Sequence, residues 1–262
     1  MAAVFDLDRV AVEVGGREAL REVSFSVAEG ERVVLLGVNG CGKTTLLRLL
    51  DGLAFGVRGT VRYRDRLLDA ASLDDAAFRR RFRGEVALLF QNVDAMLFNP
   101  TVADEIAFGP RQLGLAEPDR RTERWAETFG LTPLLGRPPF ELSGGEKKRV
   151  ALAALLAVGP SVLLLDEATA NLDPASSAFL VDLLAGLEGV TTVVATHGLG
   201  MAEELGTRAV LLSPDGRGVL FDGPPHDLLH DEALLVRSGL AHRHAHRHGT
   251  RAHAHWHVHE GD

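Results

Sequence analysis

One run of eight residues, Gly37-Val38-Asn39-Gly40-Cys41-Gly42-Lys43-Thr44, narrows the possible folds more than anything else in this chain. It follows the apolar run 33–36 and opens onto Leu46-Leu47-Arg48-Leu49-Leu50, so a buried strand must turn through a glycine-rich loop into a helix. Three more apolar runs end the same way, on residues able to do chemistry: 86–90 at Gln91, 162–165 at Asp166-Glu167 and 193–196 at His197. Near-continuous apolar strands belong to parallel sheets buried on both faces, and such sheets bind ligands at the carboxyl ends of their strands. The expected class is α/β, with four polar sites, distant in sequence, converging on one ligand.

The flanking segments read differently. Residues 4–14 and 23–27 alternate apolar and polar around Gly15-Gly16, the pattern of an antiparallel hairpin. From about 74 to 157 charged, helix-favouring stretches such as 119–129 dominate, broken by Gly130 and Pro138-Pro139, which predicts a helical insertion. Beyond His197 a helix over 201–205, a strand over 209–212, a turn at Pro214-Asp215-Gly216 and a last helix over 226–235 are expected. The architecture predicted is a mainly parallel core sheet with an antiparallel β subdomain and a helical subdomain, all within 1–239, followed by a tail over 240–262.

Composition removes several classes. No run reaches the roughly 20 apolar residues that span a bilayer, and Met1-Ala2-Ala3-Val4 lacks the basic start of a secretory signal. A single cysteine, Cys41, excludes an internal disulfide framework and suits a reducing compartment. A formal charge of −8 argues against a nucleic-acid partner. The expectation is a cytoplasmic chain.

The eight-residue loop matches the phosphate loop, in which backbone amides cradle phosphates, Lys43 reaches the β and γ oxygens and the Thr44 hydroxyl ligates magnesium. At this distance from such a loop, Asp166 is expected in the magnesium shell and Glu167 polarising the attacking water. Leu142-Ser143-Gly144-Gly145-Glu146 contains an S-x-x-E capping box, which by itself only starts a helix. Its paired glycines weaken a helix start unless something must approach the backbone closely, and an anion fits there. Together the two motifs suggest ATP held between two subunits.

From about Val4 to Gly239 the chain resembles the ATPase subunit of ATP-binding-cassette (ABC) transporters. The resemblance implies an ABC-type P-loop ATPase in which Gly37, Asn39, Gly40, Cys41, Gly42, Lys43, Thr44 and Thr45 bind nucleotide. Asp166, Thr44 and Gln91 of the Q-loop hold Mg2+, and Glu167, Gln91 and His197 are catalytic. It also implies that Ser143, Gly144 and Gly145 of the signature, with Asp173 of the Asn171-Leu172-Asp173 D-loop, serve nucleotide bound by a partner copy. The segment Phe90 to Pro110, with Leu97-Phe98-Asn99-Pro100-Thr101, and the run Leu-Ser-Gly-Gly-Glu-Lys-Lys-Arg are similar to energy-coupling-factor importer ATPases. There Leu97 and Phe98 would form an apolar knob for a membrane subunit. Val14 stands where the family usually stacks an aromatic on adenine.

The tail carries His242, His244, His246, His248, His253, His255, His257 and His259, alternating so that an extended segment sets four imidazoles on one side. Neutral imidazole suits nickel, cobalt, zinc and copper, and such tracts need no packed core. A disordered metal-binding tail is therefore expected. The full expectation is a peripheral ATPase on the cytoplasmic face of the membrane, a homodimer or paralogous heterodimer, driving nickel or cobalt import through integral membrane subunits. The alternatives are an energy-coupling-factor ATPase shared among vitamin importers and a nickel-delivery P-loop NTPase. The second should carry an N-K-x-D guanine motif, which this sequence lacks.

Overall fold

In the computed structural model the backbone is described for residues 2–170, 172–248 and 251–258, and side chains through residue 241 apart from 1 and 171. Strand β1 (Ala3–Val14) reverses through Gly15 (φ 58°) and Gly16 (φ 75°) into β2 (Arg17–Ala28). Two consecutive left-handed residues match the twist of a tight hairpin, and glycine adopts them without a Cβ clash. The second strand is longer than the 23–27 expected. Arg9 (φ 45°) and Glu22 (φ 53°) bulge the strands and shift the register on either side, which interrupts the simple alternation in the sequence.

The chain continues through β3 (Arg32–Leu36), α1 (Lys43–Leu50), β4 (Arg58–Tyr63), β5 (Arg66–Leu67), α2 (Ala70–Asp74), α3 (Ala76–Glu85) and β6 (Val86–Leu89). Next come α4 (Val102–Leu113), α5 (Pro118–Thr128), α6 (Gly144–Val158), β7 (Val162–Asp166) and α7 (Pro174–Ala185). The last elements are β8 (Thr191–Thr196), α8 (Ala202–Leu205), β9 (Arg208–Leu212), β10 (Val219–Gly223), α9 (Pro225–His230), α10 (Glu232–Arg237), β11 (Ala241–His248) and β12 (Arg251–Val258). They fall into two units, Met1–Ala70 with Thr191–Asp262, and Ala71–Val190.

In the first unit, β2, β1, β4 and β5 form an antiparallel sheet. A second sheet runs β10–β9–β3–β8, with β3 parallel to both β8 and β9 and β10 antiparallel at the edge. Residues 33–36, 193–195 and 209–212 are at most 1% exposed, the burial that their unbroken apolar runs predict. The register pairs Leu36 with Thr196, so Gly37 and His197 leave the sheet side by side. The single final helix expected over 226–235 is two helices. Asp231 leaves helical geometry (φ −91°, ψ 81°), and its carboxylate accepts from the Leu234 amide at 2.9 Å, capping a new start.

In the second unit, β6 and β7 pair in parallel with Leu89 opposite Leu165, which sets Gln91 beside Asp166-Glu167 at their carboxyl ends. Helices α4, α5 and α6 pack on one another around buried Ile106, Ala126, Val150 and Ala153. The disordered tail expected from composition is instead an antiparallel pair, β11 with β12. Strict alternation over both stretches supplies the period of two that strand pairing requires. His259 lies outside the described residues, as does Asn171.

Candidate nucleotide-binding site

Strand β3 delivers the phosphate loop and α1 receives it. Gly42 caps that helix in a left-handed conformation (φ 103°), and a Cβ there would stand 2.5 Å from Leu20 Cδ2 and 2.8 Å from the Ala19 carbonyl oxygen. Only glycine fits. No side chain caps α1, and its first turn has no acidic residue, so its leading amides and the positive end of its dipole face the loop. A Cβ at Gly40 would meet nothing within 4 Å, so the loop is open on that side. Lys43, 6% exposed, donates from Nζ to the carbonyls of Gly37 at 2.6 Å and Val38 at 3.2 Å. This holds a cation within the cradle, the arrangement an oligophosphate requires.

Cys41 is buried under the same loop, and burial pushes its thiol above the usual range against the pull of Lys43. A thiol kept protonated there packs rather than reacts. His197 follows β8, half-buried, and the Gly198 amide donates to Thr196 Oγ1 at 3.1 Å, fixing the turn that carries it. Val14, at the tip of the β1–β2 hairpin, is 53% exposed.

In the second unit Asp166 and Glu167 are 3% and 6% exposed, and Gln91 is exposed. Glu167 has φ 50°, a left-handed backbone rare for a side chain with a Cβ and found where surrounding structure holds it. The signature residues form a complete capping box. Ser143 Oγ accepts from the Glu146 amide at 3.4 Å, and the Glu146 carboxylate accepts from the Ser143 amide at 2.8 Å and hydroxyl at 2.7 Å. Those bonds hold the Glu146 carboxyl below its ordinary 4.5. Gly144 and Gly145 face open space: a Cβ added at either would meet nothing within 4 Å, so packing within the chain does not require these glycines. Asp173 caps α7, accepting from the Ser176 amide at 3.0 Å and hydroxyl at 2.5 Å, which holds its carboxyl below the usual 3.8.

Phe98 is 67% exposed and meets Phe108 edge-on at 4.9 Å, whereas Leu97 is half-buried; the exposed apolar group is an aromatic pair, not Leu97-Phe98. Three residues that the sequence did not single out shape this unit. Glu105, 4% exposed, accepts from the amides of Phe98 and Asn99 at 2.8 and 2.7 Å and so fixes the Phe98 loop. Lys147 pairs with Asp94 at 2.6 Å, tying α6 to the segment after Gln91. Lys148 reaches the backbone of Glu167. The sequence offered no distinguishing signal for Lys148, since Glu-Lys-Lys-Arg reads equally as a solvated basic stretch.

A glycine loop between parallel strand and helix, with an acidic pair ending another buried parallel strand, defines a P-loop nucleotide hydrolase. The family model for ABC transporters matches residues 20–170, and the chain belongs to that family. It is 42% identical to the nickel import ATP-binding protein NikO of Rhodobacter capsulatus, over 92% of this chain and 96% of that one. Among solved structures, it is similar to cbiO1 of Clostridium perfringens, described as part of the ABC transporter complex cbiONQ, with TM-score 0.76, 27% identity and coverage of 90% and 94%. It is also similar to a dimeric post-hydrolysis state of the cassette MJ0796 bound to ADP and Pi, with TM-score 0.75, 27% identity and coverage of 84% and 98%. The chain is thus an ABC-type ATPase that works on ATP with Mg2+. No helix among the described residues is long and apolar enough to cross a membrane.

Proposed function

We propose that this chain is the ATP-hydrolysing subunit of a membrane importer for a transition metal ion, nickel or cobalt. The observation that carries the reading is the 42% identity, along nearly the full length of both chains, to a nickel import ATP-binding protein. The likeness to cbiO1 supports the same assembly class. Two copies, or one copy and a paralogue, close at the cytoplasmic face of the membrane around two ATP molecules. The α1 amides and Lys43 hold the phosphates, and Ser143 and Gly145 of the opposite copy meet the γ-phosphate. The open space over Gly144-Gly145 supports that approach. The Thr44 hydroxyl, Gln91 and Asp166 would hold the magnesium ion, all oxygen donors as a hard cation prefers, and the bound ion would supply charge neutralisation for phosphoryl transfer. Glu167 takes the proton of the attacking water, and His197 and Gln91 complete the site. The exposed Phe98–Phe108 pair is the docking knob for a membrane subunit.

Residues 240–262 are an appended metal-binding segment. Its backbone register sets His242 opposite His257, His244 opposite His255 and His246 opposite His253. The decisive experiment is uptake of labelled nickel and cobalt by cells with the complete system, comparing the intact chain, Lys43→Ala and a deletion of 240–262. Uptake should vanish with Lys43→Ala. Uptake independent of Lys43 would eliminate metal import as the function.

A further inference from the structure

Lys148 lies in the second turn of α6 with only 7% of its surface exposed. Its Nζ donates to the carbonyl of Ala170 at 2.6 Å and to that of Glu167 at 3.2 Å. Burying an ammonium costs desolvation that an apolar side chain of the same length avoids, and the nearby Glu167 charge offsets only part of it. The position that receives this charge is a strained one in the loop after β7: Glu167, at φ 50°. Its carbonyl also accepts from the Ala170 amide at 3.1 Å, closing a short turn that Lys148 grips at both ends. The backbone conformation of Glu167 sets the direction in which its carboxylate leaves the strand.

We propose that Lys148 is a positioning residue for ATP hydrolysis: it clamps the left-handed turn 167–170 and so aims the Glu167 carboxylate, linking the signature helix to the hydrolytic strand end of the same chain. The inference rests on Glu167 being the group that takes the proton of the attacking water. Two consecutive lysines divide the task, since Lys147 turns to Asp94 and Lys148 to the Glu167 turn. Movement of α6 on closure would then reach both segments through N–H donors already in place.

The test uses the full chain with magnesium-ATP and five proteins: wild type, Lys148→Met, Lys148→Gln, Glu167→Gln and the double variant with Lys148→Met and Glu167→Gln, each also followed by thermal melting. Lys148→Met should lower kcat roughly tenfold or more while ATP affinity stays within about twofold, the pattern of an interaction that matters only in the transition state. Lys148→Gln keeps two N–H donors without the charge and should recover to within about threefold of wild type. Adding Lys148→Met to Glu167→Gln should cost nothing further, since a residue acting through Glu167 has nothing left to aim. Wild-type kcat in Lys148→Met, additive losses in the double variant, or a Lys148→Met chain that does not fold would each overturn the proposal, the last by showing a staple for the fold. Wild-type turnover in Glu167→Gln would instead remove the reading of Glu167 on which it rests.

Discussion

Helices α1 and α6 both begin at glycine-bearing turns that the family uses for phosphate, yet the two starts are built in opposite ways. The first has no side-chain cap, a left-handed Gly42 wedged against Leu20, and a buried Lys43 folded onto its own loop. The second has every feature of a self-sufficient helix start: a Ser143–Glu146 capping box, open glycines and a carboxylate where an anion would come. The first start is capped by no side chain of its own. The second already satisfies part of its own need, and packing within the chain does not require its glycines. That difference suits the proposed arrangement, in which a nucleotide gripped by one copy is closed upon by another.

Four experiments break or sharpen this contrast. The largest effect is expected from Lys43→Ala, which should abolish detectable ATP binding and turnover because it deletes the one buried cation of the cradle; nucleotide binding measured by calorimetry checks it. Glu167→Gln should leave binding intact and slow single-turnover hydrolysis by roughly 10²-fold or more, the usual range for removing a general base. Third, alanine at the two glycine starts should give opposite results. Gly42→Ala should destabilise by about 1–3 kcal/mol through its positive φ and its clash, whereas Gly144→Ala should gain about 0.5–1 kcal/mol as a helix substitution yet lose ATP-dependent pairing of copies. Thermal melting with light scattering separates them; equal destabilisation would erase the contrast.

The smallest effect concerns pH. Hydrogen bonds from Ser143 hold the Glu146 carboxyl below its ordinary 4.5 in the folded chain. The sign follows: the ionised carboxylate is favoured by folding, so this contribution is fully present above about 4.5 and is lost as pH falls through the lower folded value. Melting temperatures between about pH 6 and 3 should fall less steeply in Ser143→Ala, whose missing cap costs about 1 kcal/mol at neutral pH. An unchanged pH slope in that variant would remove the box from the account.

Much of this was legible because it is local. The apolar runs gave β3, β6, β7 and β8 to within a residue or two, since burial on both faces leaves no polar position inside a strand. The Ser143–Glu146 box closes within one helical turn and shows in the sequence directly. Where a single residue altered backbone direction the pattern misled, as at Glu22, which bulges β2, and Asp231, which splits the last helix. The tail illustrates a different limit: its alternation was plain, but the antiparallel register of β11 on β12 is a pairing that composition does not announce.

By itself, then, the sequence determined the carboxyl ends of the core strands, the Ser143–Glu146 cap and the glycine-rich loop before α1, because each depends on neighbours a few positions away. Only the tertiary structure decided that Lys148 grips the turn of Glu167, nineteen positions on, that Glu105 is buried beneath Phe98, and that Phe98 rather than Leu97 faces outward. Such choices depend on which faces of packed elements remain open, and burial of a charge is settled by the carbonyls or amides that folding brings within reach.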